Sequence, residues 1–348
     1  MNSNIKHAVG FSVQYFPGFK LVEVKEPYKD AKESAFYLLQ STPGSIPDSL
    51  IEIPVIKIPV AEIVCTSTTH IPFLDLLEVT NTLTGFPSGN YISSPVVRNM
   101  IENDKVVELG VDNALNIELL LDLNPELVMG YSLTGNMNLF NQIEYAGIPF
   151  VLNAEYLEET PLGRAEWIKF VALFFNKEKK ADSIFDRIEN KYMETLEAAQ
   201  NTNFKPTVIS GIVYGDFWYM PGGNSWAAKY FKDANADFLW KDNSSEGSIE
   251  LSFESVYDKA YDVEYWIGAA DFRSIKSLIS IDPRYSQFEA LQNNNVYTYN
   301  KRVIKQGGND FFEQGIARPD IVLQDLVKIL HPEILSGYEL YFYRKLDP

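Results

Sequence analysis

Hydrophobic and polar positions follow two different patterns along the chain. Between about residues 60 and 160, short apolar runs such as EIVC, TLTGF and ELVMG are separated by segments with helical spacing, and the same order returns after residue 206. Short buried strands that alternate with helices indicate a parallel sheet with helices on its faces. The first sixty residues instead indicate strands and turns, and the two prolines of IEIPVIKIPV suit an edge strand.

A helical region separates the two alternating parts. Thr160 and Pro161 suit an N-cap and a first helical residue, and residues 178–199 predict a longer, charged helix. The predicted fold class is therefore α/β, with two Rossmann-like lobes (parallel-rich sheets flanked by helices), one long backbone helix that joins them, and an N-terminal β extension. The predicted segments are the N-terminal β extension (1–60), an N-terminal α/β lobe (61–160), linking helices (161–200) and a C-terminal α/β lobe (201–348).

Two helix–strand segments of the chain resemble each other. NIELLLDLNPELVMG aligns with SFESVYDKAYDVEYWIG, so that Glu118 falls on Glu254 and Asp122 falls on Asp258. Each segment predicts a helix that begins at an Asn or Ser cap, then a turn, then a buried strand. The alternative is chance similarity, because amphipathic units of α/β folds share such patterns readily.

In open parallel sheets, ligands bind beyond the carboxyl ends of the strands. The loops at these ends carry aromatic rings with hydroxyl and amide groups between them, which is typical of a pocket for a bulky, flat or partly apolar molecule. The candidate ligand-binding residues are Thr68, Phe86, Tyr91, Tyr131, Tyr214, Trp218, Tyr219, Arg273, Asn309 and Phe312. Alternatively, Trp218 and Tyr219 close the core above the sheet. Arg273 has a different alternative, which is an ion pair with Asp271.

Composition argues against several classes of function. The 348 residues include 30 Lys and Arg but 47 Asp and Glu, and the net charge of −17 argues against a nucleic-acid partner. One Cys and three scattered His argue against a Cys-rich or His-rich metal site, so no metal ligand is assigned, and His70 is interpreted as a structural cap or hydrogen-bond donor. The sequence has no GxGxxG, Walker or GxSxG pattern. No catalytic residue is assigned, and we predict that the protein is not an enzyme.

Three stretches resemble the periplasmic substrate-binding proteins of ABC importers for iron–siderophore complexes, haem and cobalamin. They are EIVCTSTTHIPFLDLLEVTNTLTGFP, VVELGVDNALNIELLLDLNPELVMGY and GGNDFFEQGIARPDIVLQDLVKILHPEIL, and the last is similar to the end of a Bacteroidetes-type branch. The resemblance implies two lobes joined by a rigid helix, with the ligand held between them and no resident cofactor. It also implies that Glu118 and Glu254 dock onto Arg residues of the membrane permease. The alternative is that both are simply acidic residues in a first helical turn, where the helix dipole favours a negative charge.

The resemblance predicts a non-catalytic carrier that delivers an iron–siderophore-type complex to an ABC permease in the inner membrane. Cobalamin is the second candidate cargo and haem is the third, because the sequence offers no convincing axial ligand for haem beyond Tyr131 or Tyr91. A doubly wound enzyme and an interaction protein without a ligand are alternatives from other classes. The opening MNSNIKHAVG has no apolar signal core and Cys65 lies in a predicted strand, so we infer a trimmed chain of the periplasm or of a lipid-anchored protein. We expect a monomer.

Overall fold

The computed structural model describes residues 4–42, 44, 46–111 and 114–348. The strands are β1 (Phe11–Phe16), β2 (Phe19–Val24), β3 (Ala35–Gln40), β4 (Val55–Lys57), β5 (Ile63–Cys65), β6 (Leu83–Phe86), β7 (Val107–Glu108), β8 (Gly110–Val111), β9 (Ala114–Leu115), β10 (Leu127–Gly130), β11 (Phe150–Leu152), β12 (Thr207–Ile209), β13 (Ile212–Tyr214), β14 (Phe217–Pro221), β15 (Asp237–Phe238), β16 (Ser248–Leu251), β17 (Tyr265–Ile267), β18 (Val296–Thr298) and β19 (Arg344–Lys345).

The helices are α1 (Ile71–Leu77), α2 (Pro95–Glu102), α3 (Ile117–Leu123), α4 (Asn138–Tyr145), α5 (Pro161–Glu166), α6 (Ile168–Leu173), α7 (Glu178–Gln200), α8 (Trp226–Asp233), α9 (Phe253–Ala260), α10 (Ile275–Ile281), α11 (Glu289–Gln292), α12 (Asp310–Ala317) and α13 (Pro319–Leu330). Within the described part of the chain, no helix combines the length and the apolar character that a membrane crossing needs.

The contacts between residues divide the chain into two compact units. Unit 1 comprises Met1–Glu158, Leu162–Asp186 and Ile304–Ala317. Unit 2 comprises Glu159–Pro161, Arg187–Val303 and Arg318–Pro348. The chain passes from unit 1 to unit 2 within α7, between Asp186 and Arg187, and the 23 residues of this helix extend over about 34 Å. The long charged helix that the sequence predicts is therefore present, and it contributes residues to both units.

Unit 1 is built on a five-stranded sheet with the order β11-β10-β5-β6-β7, in which all neighbours are parallel. Every residue of β5, β10 and β11 is buried, as expected for strands covered on both faces. The apolar side chains of α3 and α4 close one face: Leu120, Phe140 and Ile143 pack into a cluster with Val64 and Val128. The carboxyl ends of these strands are thereby held together at one edge.

The N-terminal β extension forms a second sheet of unit 1, with the order β1-β2-β3-β4. Buried carboxylates hold the residues that lead into it. Glu166 accepts hydrogen bonds from the backbone N–H groups of residues 6–8 and pairs with Lys169 at 2.8 Å. Glu158 accepts from the backbone N–H groups of Val9 and Gly10. These bonds attach the predicted extension to the N-terminal α/β unit.

Helix α12 lies in unit 1, although the sequence places it in the C-terminal lobe (201–348). It packs against α1 and against the short turn Thr68–His70. Its Glu313 accepts hydrogen bonds from the backbone N–H groups of Ser93 and Ser94, at 2.6 and 2.7 Å. Strand periodicity could not reveal this return to unit 1, because it depends on contacts between residues that are far apart in the sequence.

Unit 2 contains a five-stranded sheet with the order β15-β12-β17-β18-β19, in which only β19 is antiparallel to its neighbour. A separate antiparallel sheet has the order β13-β14-β16. Tyr214, Trp218 and Tyr219 were predicted to lie in a loop after a strand, whereas β13 and β14 form a hairpin there. Gly211 permits the hairpin, because its φ is +79° and a Cβ at that position would lie 1.8 Å from the Tyr219 carbonyl oxygen.

The two helix–strand segments that align in sequence have matching structures. Helix α3 is followed by β10 and helix α9 by β17, and each of these strands is parallel to both of its neighbours. The side chains of Asn116 and Ser252 cap the two helices by accepting a hydrogen bond from the third helical residue. Glu118 and Glu254 thus occupy the same position in the first turn of each helix.

Candidate functional site

The carboxyl ends of β5 and β6 surround a cavity of about 250 Å³ in unit 1. Three loops contribute to it, because the parallel strands end at the same edge of the sheet. The lining residues are Thr66, Ser67, Thr68, Phe86, Pro87, Ser88, Tyr91 and Tyr131. Thr68, Phe86, Tyr91 and Tyr131 were predicted from the sequence, and the structure brings all four together. Their assignment to a ligand stays a prediction.

A second cavity of about 310 Å³ lies at the same edge, next to the carboxyl end of β10. Its lining residues are Thr66, Leu115, Tyr131, Ser132, Leu133, Thr134, Asn136, Leu139 and Phe140. Thr66 and Tyr131 belong to both cavities, so the Tyr131 ring lies where the two meet. Hydroxyl and amide groups on apolar walls suit a ligand that offers both flat surface and hydrogen-bonding groups.

Tyr91 is fixed in place by the segment that precedes α12. A Cβ at Gly308 would lie 2.2 Å from the Tyr91 carbonyl oxygen, so only glycine permits this approach. Asn309 and Phe312 follow directly, and the Asn309 side chain accepts a hydrogen bond from the Phe311 N–H at 3.1 Å. Phe312 is about half exposed. Both predicted residues therefore lie in unit 1, close in sequence to the point of contact with Tyr91.

A buried carboxyl supports the loop after β5. Glu155 accepts a short hydrogen bond from the Thr69 hydroxyl, and its second oxygen has no partner among the described residues. Burial raises the pKa of Glu155 to about 7. His70 is also buried, and burial lowers its pKa to about 3. His70 occupies the N-cap position of α1, as predicted, but the prediction of a hydrogen bond from its side chain is wrong, because neither ring nitrogen has a partner among the described residues.

Two further carboxyl groups bind backbone N–H groups beside the first cavity. Glu108 accepts from Ser88 at 2.7 Å and from Gly89 at 3.0 Å. Glu313 accepts from residues 93 and 94, at the start of α2. Burial raises the pKa of Glu313 to about 8. The chain thus satisfies the free N–H groups of this region with its own side chains.

The predicted aromatic residues of unit 2 have different environments. Trp218 is completely buried, donates from Nε1 to the Ser210 carbonyl at 2.9 Å, and lies 5.1 Å from Trp266 between ring centroids. Such an indole has no exposed face for a ligand, which favours its alternative as a core residue. Tyr214 is mostly exposed, and its ring lies 6.4 Å from that of Tyr219 on the same hairpin.

Arg273 is exposed in the loop after β17. Asp271 instead accepts a hydrogen bond from Asn300 Nδ2 at 2.7 Å, and the described residues provide no ion-pair partner for Arg273. The alternative of an Asp271–Arg273 pair is therefore wrong for this structure. The guanidinium is available for an interaction with another molecule.

Glu118 and Glu254 are both exposed, but their surroundings differ. Glu254 pairs with Arg284 at 3.1 Å, and Arg284 is held in turn by Asp282 at 2.7 Å. The Arg284 guanidinium also lies 3.9 Å from the centre of the Phe253 ring. Glu118 has no such cation among the described residues.

Several residues that shape the site were not named as ligand-binding candidates. Ser67 and Ser88 line the first cavity and lie in the loops that the strand-end rule selects, whereas Glu108, Glu155 and Glu313 hold the loops around the cavity. Glu155 follows β11 at the carboxyl edge of the sheet, so the same edge rule pointed to it. Glu108 and Glu313 carried no comparable signal. Among the described residues, no group of three or more His, Cys, Asp and Glu side chains is placed to hold a metal ion.

Comparisons with known proteins agree with this architecture. A family model described as periplasmic binding protein matches residues 63–303. An uncharacterized lipoprotein of Methanocaldococcus jannaschii is 27% identical over 303 residues, which cover 84% of this chain and 70% of that relative.

Two solved structures share the fold at low sequence identity. A possible iron-binding (periplasmic solute-binding) protein from Staphylococcus epidermidis has a TM-score of 0.61 at 15% identity, and the match covers 78% of this chain and 99% of that chain. The periplasmic vitamin B12 binding protein of Vibrio cholerae has a TM-score of 0.56 at 11% identity, with coverage of 80% and 99%. These likenesses confirm the predicted fold class.

Proposed function

Because the chain belongs to the periplasmic binding protein family, whose members bind solutes and are not enzymes, we propose that it captures an iron complex of the siderophore type and delivers it to the permease of an ABC importer. The family membership confirms the resemblance found in the sequence. One observation carries the proposal for the site: cavities lined by rings and hydroxyl groups lie at the carboxyl edge of the unit 1 sheet.

Cobalamin or haem is the second candidate cargo. Tyr91 and Tyr131 both line the first cavity, and aromatic rings of this kind pack well against the plane of a corrin or porphyrin. A protein of the same fold is a vitamin B12 binding protein, which supports this alternative. The exposed Arg273 and Tyr214 and the half-buried Tyr219 of unit 2 remain proposed ligand contacts.

We further propose that the protein works in the periplasm or on a lipid anchor at the cell envelope. A relative with the name of a lipoprotein supports this location. A monomer suffices for the proposed role, because one chain carries both glutamates and the whole proposed ligand site.

In the proposed complex with the permease, Glu118 and Glu254 contact basic residues of the membrane protein. Exposed carboxylates in the first turn of two matching helices are well suited to set the orientation of a basic partner. We expect the double variant Glu118→Ala, Glu254→Ala to reduce uptake at least tenfold with nearly unchanged ligand affinity. Uptake of labelled cargo and calorimetric titration measure the two quantities, and loss of ligand binding would place these carboxylates in the pocket instead.

The cargo is tested directly by purifying the protein from its native cells and recording its absorbance and mass spectrum. A bound iron complex with low-micromolar or tighter affinity is the expected result. Absorption bands of a corrin or porphyrin would favour the second candidate. A protein that is isolated empty and that binds no ferric siderophore, cobalamin or haem in titrations would contradict the proposed function.

A further inference from the structure

The side chains that line the two cavities of unit 1 indicate which charge the cargo carries. This step rests on the proposed function. None of the described residues that line either cavity is Asp, Glu, Lys, Arg or His. Hydroxyl, amide and backbone groups provide the hydrogen bonds, while Tyr, Phe and Leu side chains provide the apolar walls. Such a lining offers no counter-charge to an anion.

Free backbone N–H groups are the usual alternative to Arg and Lys for binding an anion. Next to the first cavity, the N–H groups of Ser88 and Gly89 already donate to the carboxyl group of Glu108. Those of residues 93 and 94 already donate to Glu313. An anionic cargo would have to compete with carboxyl groups of the chain for these donors.

The two arginines of unit 1 donate to backbone carbonyls. Arg98 donates from Nη1 to the Gly89 carbonyl at 2.7 Å. Arg164 donates from Nη2 to the Tyr156 carbonyl at 2.6 Å and from Nε to the Glu158 carbonyl at 3.0 Å. The whole chain carries a net charge of −17, which adds a general repulsion for anions at low salt.

We infer that the cargo is a metal complex without net negative charge. A neutral ferric trihydroxamate and a corrinoid have this character, whereas a ferric tris-catecholate is multiply anionic. Arg273 of unit 2 is exposed and has no ion-pair partner among the described residues, so the variant Arg273→Ala provides a contrary test.

The test compares cyanocobalamin, a ferric trihydroxamate and a ferric tris-catecholate by calorimetric titration of the full chain at about 0.05 and 0.5 M salt. We expect one of the two uncharged complexes to bind at least tenfold tighter than the tris-catecholate, with an affinity that changes less than about twofold between the two salt concentrations. Tighter binding of the tris-catecholate would overturn the inference and leave the carrier function intact, and its loss in Arg273→Ala would identify Arg273 as the group responsible. Failure of all three complexes would instead contradict the proposed function.

A matched pair of variants tests the occupied N–H groups. Glu108→Gln removes the charge that competes for them, and Glu102→Gln removes the same charge from an exposed position of α2 without a described partner. We expect Glu108→Gln to raise the affinity for the tris-catecholate at least threefold relative to the trihydroxamate, and Glu102→Gln to leave the ratio unchanged. Equal ratios in both variants would overturn the role of Glu108 in excluding anions.

Discussion

The two units differ in what lies at the carboxyl ends of their parallel strands. In unit 1, the loops after β5, β6 and β10 leave two cavities, and Tyr131 lies between them. In unit 2, the hairpin that directly follows β12 returns to the sheet, and Trp218 packs completely buried against Trp266. Similar sheets therefore carry a candidate binding surface in one unit and an aromatic core in the other.

This difference separates two roles that aromatic residues at a sheet edge can have. Residues in unit 1 such as Tyr91 keep exposed surface, and their positions depend on close backbone contacts such as that of Gly308. Trp218 in unit 2 instead contacts only its own core. Substitutions should therefore change ligand affinity in unit 1 and folding stability in unit 2.

The largest expected effect is that of Trp218→Ala. Truncation of a fully buried indole leaves a cavity and removes ring contacts with Trp266, Tyr285 and Phe288, so the free energy of unfolding should fall by about 3–5 kcal/mol. Urea denaturation followed by circular dichroism measures it. Phe217→Ala is the matched control, because its side chain is half exposed on the same strand. Similar losses for both variants would contradict a core role that is specific to Trp218.

The next effect concerns the buried acids of unit 1. Burial raises the pKa of Glu155 to about 7 from an ordinary value near 4.5, so the folded protein retains a proton that the unfolded chain releases. This contribution to stability is complete below about pH 4.5 and is lost as the pH rises through about 7. Its full size is about 3 kcal/mol. Burial also raises the pKa of Glu313, to about 8, so its contribution to stability is lost as the pH rises through about 8.

Glu155→Gln, which stays neutral, should remove part of this pH dependence. The Thr69 hydroxyl and the Arg164 charge, which both favour the ionised form of Glu155, are retained in the variant. Denaturation at pH 5 and pH 8, with hydrogen exchange of unit 1 peptides, provides the measurement. Glu144→Gln, at an exposed position of α4, is the control. If Glu155→Gln shows the same change from pH 5 to pH 8 as the unsubstituted protein, Glu155 does not cause it.

Much of the fold could be predicted from the sequence, because strand and helix periodicities are local. The alternation of buried strands with helices, the cap residues Asn116 and Ser252, and the long charged helix all have local signals. The hairpin of β13 and β14 was missed because its glycines and aromatic residues also fit a loop. The placement of α12 in unit 1 depends on contacts such as Glu313 with residues 93 and 94, which sequence spacing does not encode.

The candidate site was predicted in part, because the carboxyl ends of the strands can be located from local sequence patterns. The rule that ligands bind beyond the carboxyl ends of parallel strands selected Thr68, Phe86, Tyr91 and Tyr131, which line one cavity. It also selected Trp218, because the rule locates a loop but does not tell which of its side chains turn inward. Glu108 was missed because its role depends on the N–H groups that the folded loop presents to it.

A smaller effect is expected for Tyr131→Ala in unit 1. The ring lines both cavities, so its loss should weaken cargo binding about tenfold, or 1.4 kcal/mol, with little change in stability. Calorimetric titration with the cargo that co-purifies measures the affinity. Tyr145→Ala is the control, because Tyr145 belongs to the same unit, is almost fully exposed and lines neither cavity. Equal affinities for the two variants would place the ligand elsewhere.

The smallest expected effect lies in the difference between the two proposed docking glutamates. Glu254 is paired with Arg284, which Asp282 and the Phe253 ring hold in place, whereas Glu118 has no described cation partner. A permease arginine must therefore compete with Arg284 for Glu254 but meets no competitor at Glu118.

Since an exposed ion pair contributes little, Arg284→Gln should strengthen binding to the permease only about twofold to threefold. Lys205→Gln makes the same change in net charge at an exposed position of unit 2 that has no partner among the described residues, and it serves as the control. Titration of the permease in nanodiscs measures the affinity, and weaker binding of Arg284→Gln would mean that Arg284 positions the Glu254 carboxylate for the permease instead of competing for it.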